Sequence, residues 1–200
     1  MFKHETQVIK FLLQWYSMNA RKLPWRKKNN LNLPHPYFVF VSEYMLQQTT
    51  VNTVKNKFNE FILKWPSLNK LAQTSEPNIL KFWSGLGYYS RARNLLKSAK
   101  IIKNNFKNNI PQTYDELIQL PGIGDYTAKA ILGIGYNKSV MPLDANIERI
   151  LVRLHAIDKP INKVKNKLKD LGKKFISDKY SSNLIQSLIC LLYTSPSPRD

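Results

Sequence analysis

The chain has 200 residues, 43% of them hydrophobic, which is enough for one large domain or two small lobes and excludes a disulfide-dependent miniprotein or a disordered tail. Lys and Arg number 31 against 13 Asp and Glu, and the formal charge of +18 points to a polyanionic partner, nucleic acid first. A lysine- and asparagine-rich coding bias gives the same surplus. No apolar run approaches the ~18 residues of a membrane span, and no secretory leader pattern opens the chain. The single Cys190 can form no internal disulfide, so a reducing compartment is expected and secretion is not. His4, His35 and His155 lack ligand-like spacing, so no zinc site is expected.

Taken in order, the chain reads as helices punctuated by Pro and Gly. Lys3 to Met18 places Val8, Phe11, Leu12, Trp15 and Tyr16 at helical spacing, and Leu23-Pro24-Trp25 stops it. Tyr37 to Val41 is aromatic and β-branched, which propensity alone assigns to a strand. Because Glu43 to Gln48 are good helix formers and no partner strand is visible, a helix over 37–50 is expected. Further helical periods cover roughly 51–65, 76–84, 88–106, 113–120, 125–134, 144–156 and 161–176. The expected class is all-α. Asn and Lys cluster at 27–32, 103–109 and 162–174, as solvated loops or helix faces or as basic patches.

Three segments carry chemistry. Leu120-Pro121-Gly122-Ile123-Gly124 lies between two short helices, where the glycines let the backbone turn and aim amide hydrogens outward, a phosphate-sized anion site. Alone it could be a plain turn; in a +18 chain, with Thr127-Ala128 behind it, a DNA-backbone contact is the stronger reading. Asp144 precedes the periodic Ile147, Ile150, Leu151 and Leu154 and is a natural N-cap. Capping can be bare structure, but amide donors and the positive helix end should also lower its pKa and keep it ionised. Glu43, if helical, has Val39, Phe40 and Leu46 as neighbours, an apolar surround that should raise its pKa; a place at the surface edge of the stripe is the alternative. One carboxyl holding a proton and one staying negative is the division of labour that cleaves glycosidic bonds. Beside a phosphate-binding hairpin it suggests a DNA glycosylase.

Five ordered motifs, Leu23-Pro24-Trp25-Arg26, Ser42 to Thr49, Gly85 to Leu95, Leu120 to Ala128 and Leu143-Asp144-Ala145-Asn146, resemble the adenine DNA glycosylases of the helix-hairpin-helix superfamily over about 8–189. The resemblance implies excision of adenine mispaired with 8-oxoguanine or guanine, with double-stranded DNA against a cleft between two helical lobes. One lobe would comprise 1–27 with 137–189 and be incomplete; the other, 28–136, would carry the helix-hairpin-helix at 113–134. Glu43 would protonate the leaving adenine and help activate water, Asp144 would stabilise the cationic sugar, and Tyr126 and Asn146 would support them. Trp25, Arg26 and Leu46 would line the adenine pocket. Gln48 and Tyr88 would enter the base stack; Gln47, Arg91, Gly122, Gly124 and Thr127 complete the expected DNA contacts. A monovalent cation held by hairpin carbonyls is also implied.

The nearest rival is the endonuclease III type, a glycosylase with lyase activity on oxidised pyrimidines. Its Schiff-base lysine belongs where this chain has Tyr126, and a phenol cannot form an imine. Lys129, one turn on, keeps that alternative open. A non-catalytic helix-hairpin-helix module is the other, opposed by Glu43 and Asp144. After Ile189 the resemblance breaks: relatives continue with an acidic residue, Leu-Gly and four cysteines for a [4Fe-4S] cluster, whereas this chain reads Cys190 to Asp200. Residues 190–200 are expected to be a non-native tail, resembling the conceptual translation of a sequencing adapter, with Cys190 in the place of the acidic residue. The expected protein is a monomer away from membranes, in the cytoplasm or nucleoid of a prokaryote or the nucleus or an organelle of a eukaryote.

Overall fold

The computed structural model describes residues 2–26, 32–176 and 178–194, without side chains for 2–5 and 192–194. The expected basic cluster at 27–32, the lobe boundary at 27/28 and residues 195–200 of the expected tail lie wholly or mostly outside the described residues. Within them the protein is helical and has no strand.

Helix α1, Phe2–Asn19, turns its apolar stripe, with Leu12 buried, toward the last helix, and Tyr16 Oη donates to Gln186 Oε1 there at 3.2 Å. A single 3-10 turn, Pro24–Arg26, buries Trp25 edge-on to Phe58, ring centroids 5.5 Å apart. Helix α2, Pro36–Leu46, begins with Pro at its first position and His35 Nδ1 accepting from Tyr37 N. Tyr37, Val39, Phe40, Val41, Tyr44 and Met45 are all buried, so α2 is a core helix apolar on nearly every side. That burial overrides the strand propensity of its first five residues.

The expected helix over 37–50 ends early, at Leu46. Thr50 instead caps the next helix, α3, Val51–Lys64, by accepting from Thr53 N. The turn between them holds Gln48 at φ 55°. Helix α4, Leu68–Ala72, was not expected; its five residues are too few to show a period, but Ser67 caps it and Leu68 and Leu71 are buried against α6. Helices α5, Glu76–Trp83, and α6, Ser90–Asn105, pack on each other. Helix α7, Tyr114–Ile118, opens with a Thr113 cap, and α8, Asp125–Ala130, runs on as a π-helical segment, Ile131–Gly135.

Helix α9, Ala145–Leu154, starts at its Asp144 cap; α10 is Ile161–Lys173 and α11 is Ser181–Thr194. The π segment packs on α2, α8 and α11. A Cβ on Gly133 would lie 2.2 Å from Ile185 Cδ1, so glycine lets the Ile185 side chain of α11 pack directly on this segment. Ile185, Leu184 and Leu188 seal that contact. The remaining expected helices stand where the periodicity put them, with ends within four residues of expectation; α1 runs one residue longer at each end and most of the others are shorter.

Candidate active site

Four stretches far apart in sequence meet at one cleft of about 280 Å³. Trp25 and Arg26 come from the 3-10 turn, Glu43 and Leu46 from α2, Tyr126 and Thr127 from α8, and Asp144 and Asn146 from the start of α9. Gln47, Thr49 and Ile189 also line it, as do Arg21 and Val51, which carry no motif that singles them out in sequence. Every catalytic and pocket residue expected from sequence is therefore in one place.

Glu43 is 8% exposed on the core helix. Burial first, and the nearby Asp144 carboxylate second, push its pKa up to about 8, against a smaller opposing pull from Arg26. It is a neutral acid at pH 7. Asp144 Oδ1 accepts from Ile147 N at 2.7 Å and Oδ2 from Asn146 Nδ2 at 3.1 Å, so the cap expected from sequence is formed. The expected direction of its shift is corrected, however. Burial outweighs these donors and raises the Asp144 pKa rather than lowering it. The donors still set the two carboxyls apart: Asp144 has four hydrogen-bond donors that favour its anion, and that anion in turn helps keep Glu43 protonated.

The hairpin is tied to the acid helix. Tyr44, next to Glu43, donates through its hydroxyl to Pro121 O at 2.5 Å and shares contact with Ser98 Oγ at 2.9 Å; Ser98 Oγ also donates to Pro121 O. Gln47 Nε2 donates to Gly122 O at 3.2 Å. Gly122 has φ 81°, and a Cβ there would meet Tyr44 Cε1 and Asn94 Cβ at 3.0 Å. A side chain at this turn would be strained and crowded at once. Gly124 is extended and opens α8 with its amide end exposed. Tyr44 and Ser98 were missed by sequence reasoning; the one available signal was a tyrosine on an apolar helix, whose buried hydroxyl must find a partner.

The expected base-stack residues lie on the rim. Tyr88 is 62% exposed at φ 47°, and Gln48 is exposed at φ 55°. Neither is glycine, so both turns carry local strain held by their surroundings. Arg91 supplies the hold. Only 6% exposed, it donates through Nη1 to the carbonyls of Met45 at 2.8 Å, Tyr44 and Gln47, and through Nη2 to those of Leu86 at 2.7 Å and Gly87 at 3.0 Å. Its side chain therefore turns inward as a clamp on both rim loops, rather than outward as the expected DNA contact. This clamp also satisfies the last carbonyls of α2, which explains how that helix can stop without a glycine.

Lys129 Nζ pairs with Asp125 at 2.7 Å and lines a different groove from Glu43. Cys190 is buried, with Arg26 Nη1 donating to its sulfur at 2.9 Å; burial alone would raise the thiol pKa, but Arg26 and Arg21 together outweigh it and lower it. With one cysteine in the chain, and no group of three or more His, Cys, Asp or Glu able to hold a metal among the described residues, the residues present do not fit a four-cysteine cluster. No helix among the described residues is long and apolar enough to cross a membrane.

Comparison with known proteins agrees with this geometry. A family model described as HhH-GPD superfamily base excision DNA repair protein matches residues 41–174, from the acid helix through α10. The chain is similar to adenine DNA glycosylases of two Buchnera aphidicola subspecies: 43% identical to that of Baizongia pistaciae over 90% of this chain and 52% of the relative, and 46% identical to that of Acyrthosiphon pisum over 76% and 44%. It thus spans about half the length of the curated relatives it matches. Among solved structures, a thermostable thymine-DNA glycosylase superposes with a TM-score of 0.84 at 22% identity, covering 98% of this chain and 89% of that one.

Proposed function

From the premise that the chain belongs to the HhH-GPD superfamily of base excision DNA repair proteins, we propose that it is a monofunctional DNA glycosylase that releases adenine mispaired with 8-oxoguanine or guanine in duplex DNA. The carrying observation is the shared cleft: a protonated Glu43 and a capped Asp144 face one space walled by Trp25, Arg26, Leu46 and Tyr126. The similarity to adenine DNA glycosylases supports adenine as the base.

The reaction follows from the two carboxyls. The adenosine rotates out of the stack into the cleft, with Tyr88 and Gln48 filling the gap from the rim. Glu43 gives its proton to a ring nitrogen of adenine while the N-glycosidic bond breaks, and the bonding electrons leave with the base. The sugar left behind is cationic, and the Asp144 carboxylate, steadied by Asn146, offsets that charge. Water then adds to the sugar carbon and loses its proton to Glu43, which restores the acid. The amides of Gly122 and Gly124 hold a backbone phosphate through this sequence, that of Ile123 being already bonded to Leu120 O. Of the hairpin carbonyls, those of Pro121 and Gly122 already accept from Tyr44, Ser98 and Gln47, so a monovalent cation there would rely on the others.

The test is incubation with a duplex bearing A opposite 8-oxoguanine, then alkali. An alkali-labile site at the adenine is the expected result. A nick without alkali would establish a lyase instead, and binding with neither would establish a non-catalytic module. Borohydride should trap little covalent adduct, because Tyr126 cannot form an imine and Lys129 lies outside the cleft; Tyr126→Lys should increase trapping.

A further inference from the structure

The lysines are not spread evenly, and one set runs directly off the hairpin. Asp125 opens α8 immediately after Gly124 and pairs with Lys129, which shares a groove with Lys169 of α10, so α10 lies close beside the hairpin helix. Lys129, Lys169, Lys173 and Asn166 line one groove of about 480 Å³. Asn166 also lines a second groove, of about 570 Å³, with Lys159, Lys163 and Lys167. The two grooves therefore meet on α10 and make one path.

The chemistry of that path is one-sided. The apolar side of α10, with Val164, Leu168 and Leu171 buried, faces the protein, which leaves the lysines exposed. Of the carboxylates along the path, Asp125 is paired with Lys129 and Asp170 with Lys173 at 2.9 Å, while Asp158 sits at the far end. Such a row of like charges is unfavourable to the folded chain by itself and becomes favourable on a polyanion.

We propose that this face of α10 is a second contact for the duplex backbone, continuing the hairpin's phosphate contact along the DNA axis. It rests on the reading of the protein as a DNA glycosylase and adds the footprint. The 13 residues of α10 span about 20 Å, roughly six base-pair steps. The contact is with phosphates and carries no base specificity, so it serves the search along undamaged DNA as well as the hold at a mispair.

The test measures binding of a fully paired duplex of about 24 base pairs by fluorescence anisotropy across a salt series, with the whole 200-residue chain. Lys159, Lys163 and Lys167 changed together to Gln should weaken binding at least about tenfold near 0.1 M salt. The slope of log affinity on log salt should shrink by about 2 to 3, close to 0.9 for each phosphate that is no longer neutralised. Changing Lys100, Lys103 and Lys107 on and after α6 to Gln removes the same charge elsewhere and should leave the slope within about 1 of the parent. Arg at 159, 163 and 167 should keep both affinity and slope. Equal slopes for the two Gln variants would overturn the proposal. Adenine release by the parent chain reports separately on the function: release without a slope difference sinks the second contact alone, while a slope difference without release leaves the contact standing and sinks the glycosylase.

Discussion

Glu43 and Asp144 sit in the same cleft, both desolvated, yet the chain gives them opposite surroundings. Glu43 projects from the middle of α2, whose own backbone amides are already used in helix bonds, so a carboxylate there finds no main-chain donor. Asp144 stands at the start of α9, where amides are left over, and collects Ile147 N, Asn146 N and the Asn146 side chain. Position along a helix, rather than residue type, thus decides which acid keeps its proton. The nearness of the two amplifies the difference, because the anion favoured at Asp144 is one cause of the neutral form at Glu43.

The largest expected effect comes from removing the proton donor. Glu43→Gln keeps the shape and neutrality of the native side chain but cannot give up a proton, and single-turnover adenine release should fall by about 10² to 10⁴. Duplex binding should persist. Near-normal release would mean that the acid lies elsewhere in the cleft. Asp144→Asn should come next, at about 10² to 10³, for loss of charge opposite the cationic sugar. Since Asn caps a helix about as well as Asp, α9 should stay intact, and a thermal scan separates this loss from unfolding.

A smaller effect should appear in stability, where Glu43 is the costly partner. Its folded pKa of about 8 lies above the ordinary 4.5, so its contribution is fully present below pH 4.5 and is lost as pH rises toward 8. Over that window Glu43→Gln should become progressively more stable than the parent, reaching on the order of 3 kcal/mol at pH 7. Denaturant titrations at several pH values measure this. A constant difference between the two proteins would show that Glu43 ionises freely in the fold.

How much of this was written in the sequence depends on range. The capping of α9 by Asp144, the apolar neighbours of Glu43 and the glycine turn at 122 to 124 are local patterns, and each stands as its spacing implies. The rise in Asp144 pKa was not legible, because the cleft that buries it is lined by other elements, Arg26 and Leu46 more than 90 residues away among them. Arg91 is the same case: beside Arg93 and Lys97 it reads as one more solvent-facing base on α6, until the fold brings the carbonyls of Tyr44, Met45 and Gln47 onto it. Leu68–Ala72 was hidden for a simpler reason, being too short to repeat.

The finest probe of the two carboxyls is Asn146→Ala, which touches one of them alone. Its amide donates to Asp144 Oδ2 at 3.1 Å and favours the anion; without it, burial should raise the Asp144 pKa further. The cap bond from Ile147 N remains, so α9 should hold. Glu43 keeps its burial and should stay protonated at neutral pH, and release should slow less than about tenfold. The pH–rate profile is the sharper readout. Its acid limb, set by Asp144, should move to higher pH, while its alkaline limb near 8, set by Glu43, should stay in place because the charge that Glu43 feels there is unchanged. Equal movement of both limbs would mean that the pair titrates as one unit, and that helix position does not divide their roles.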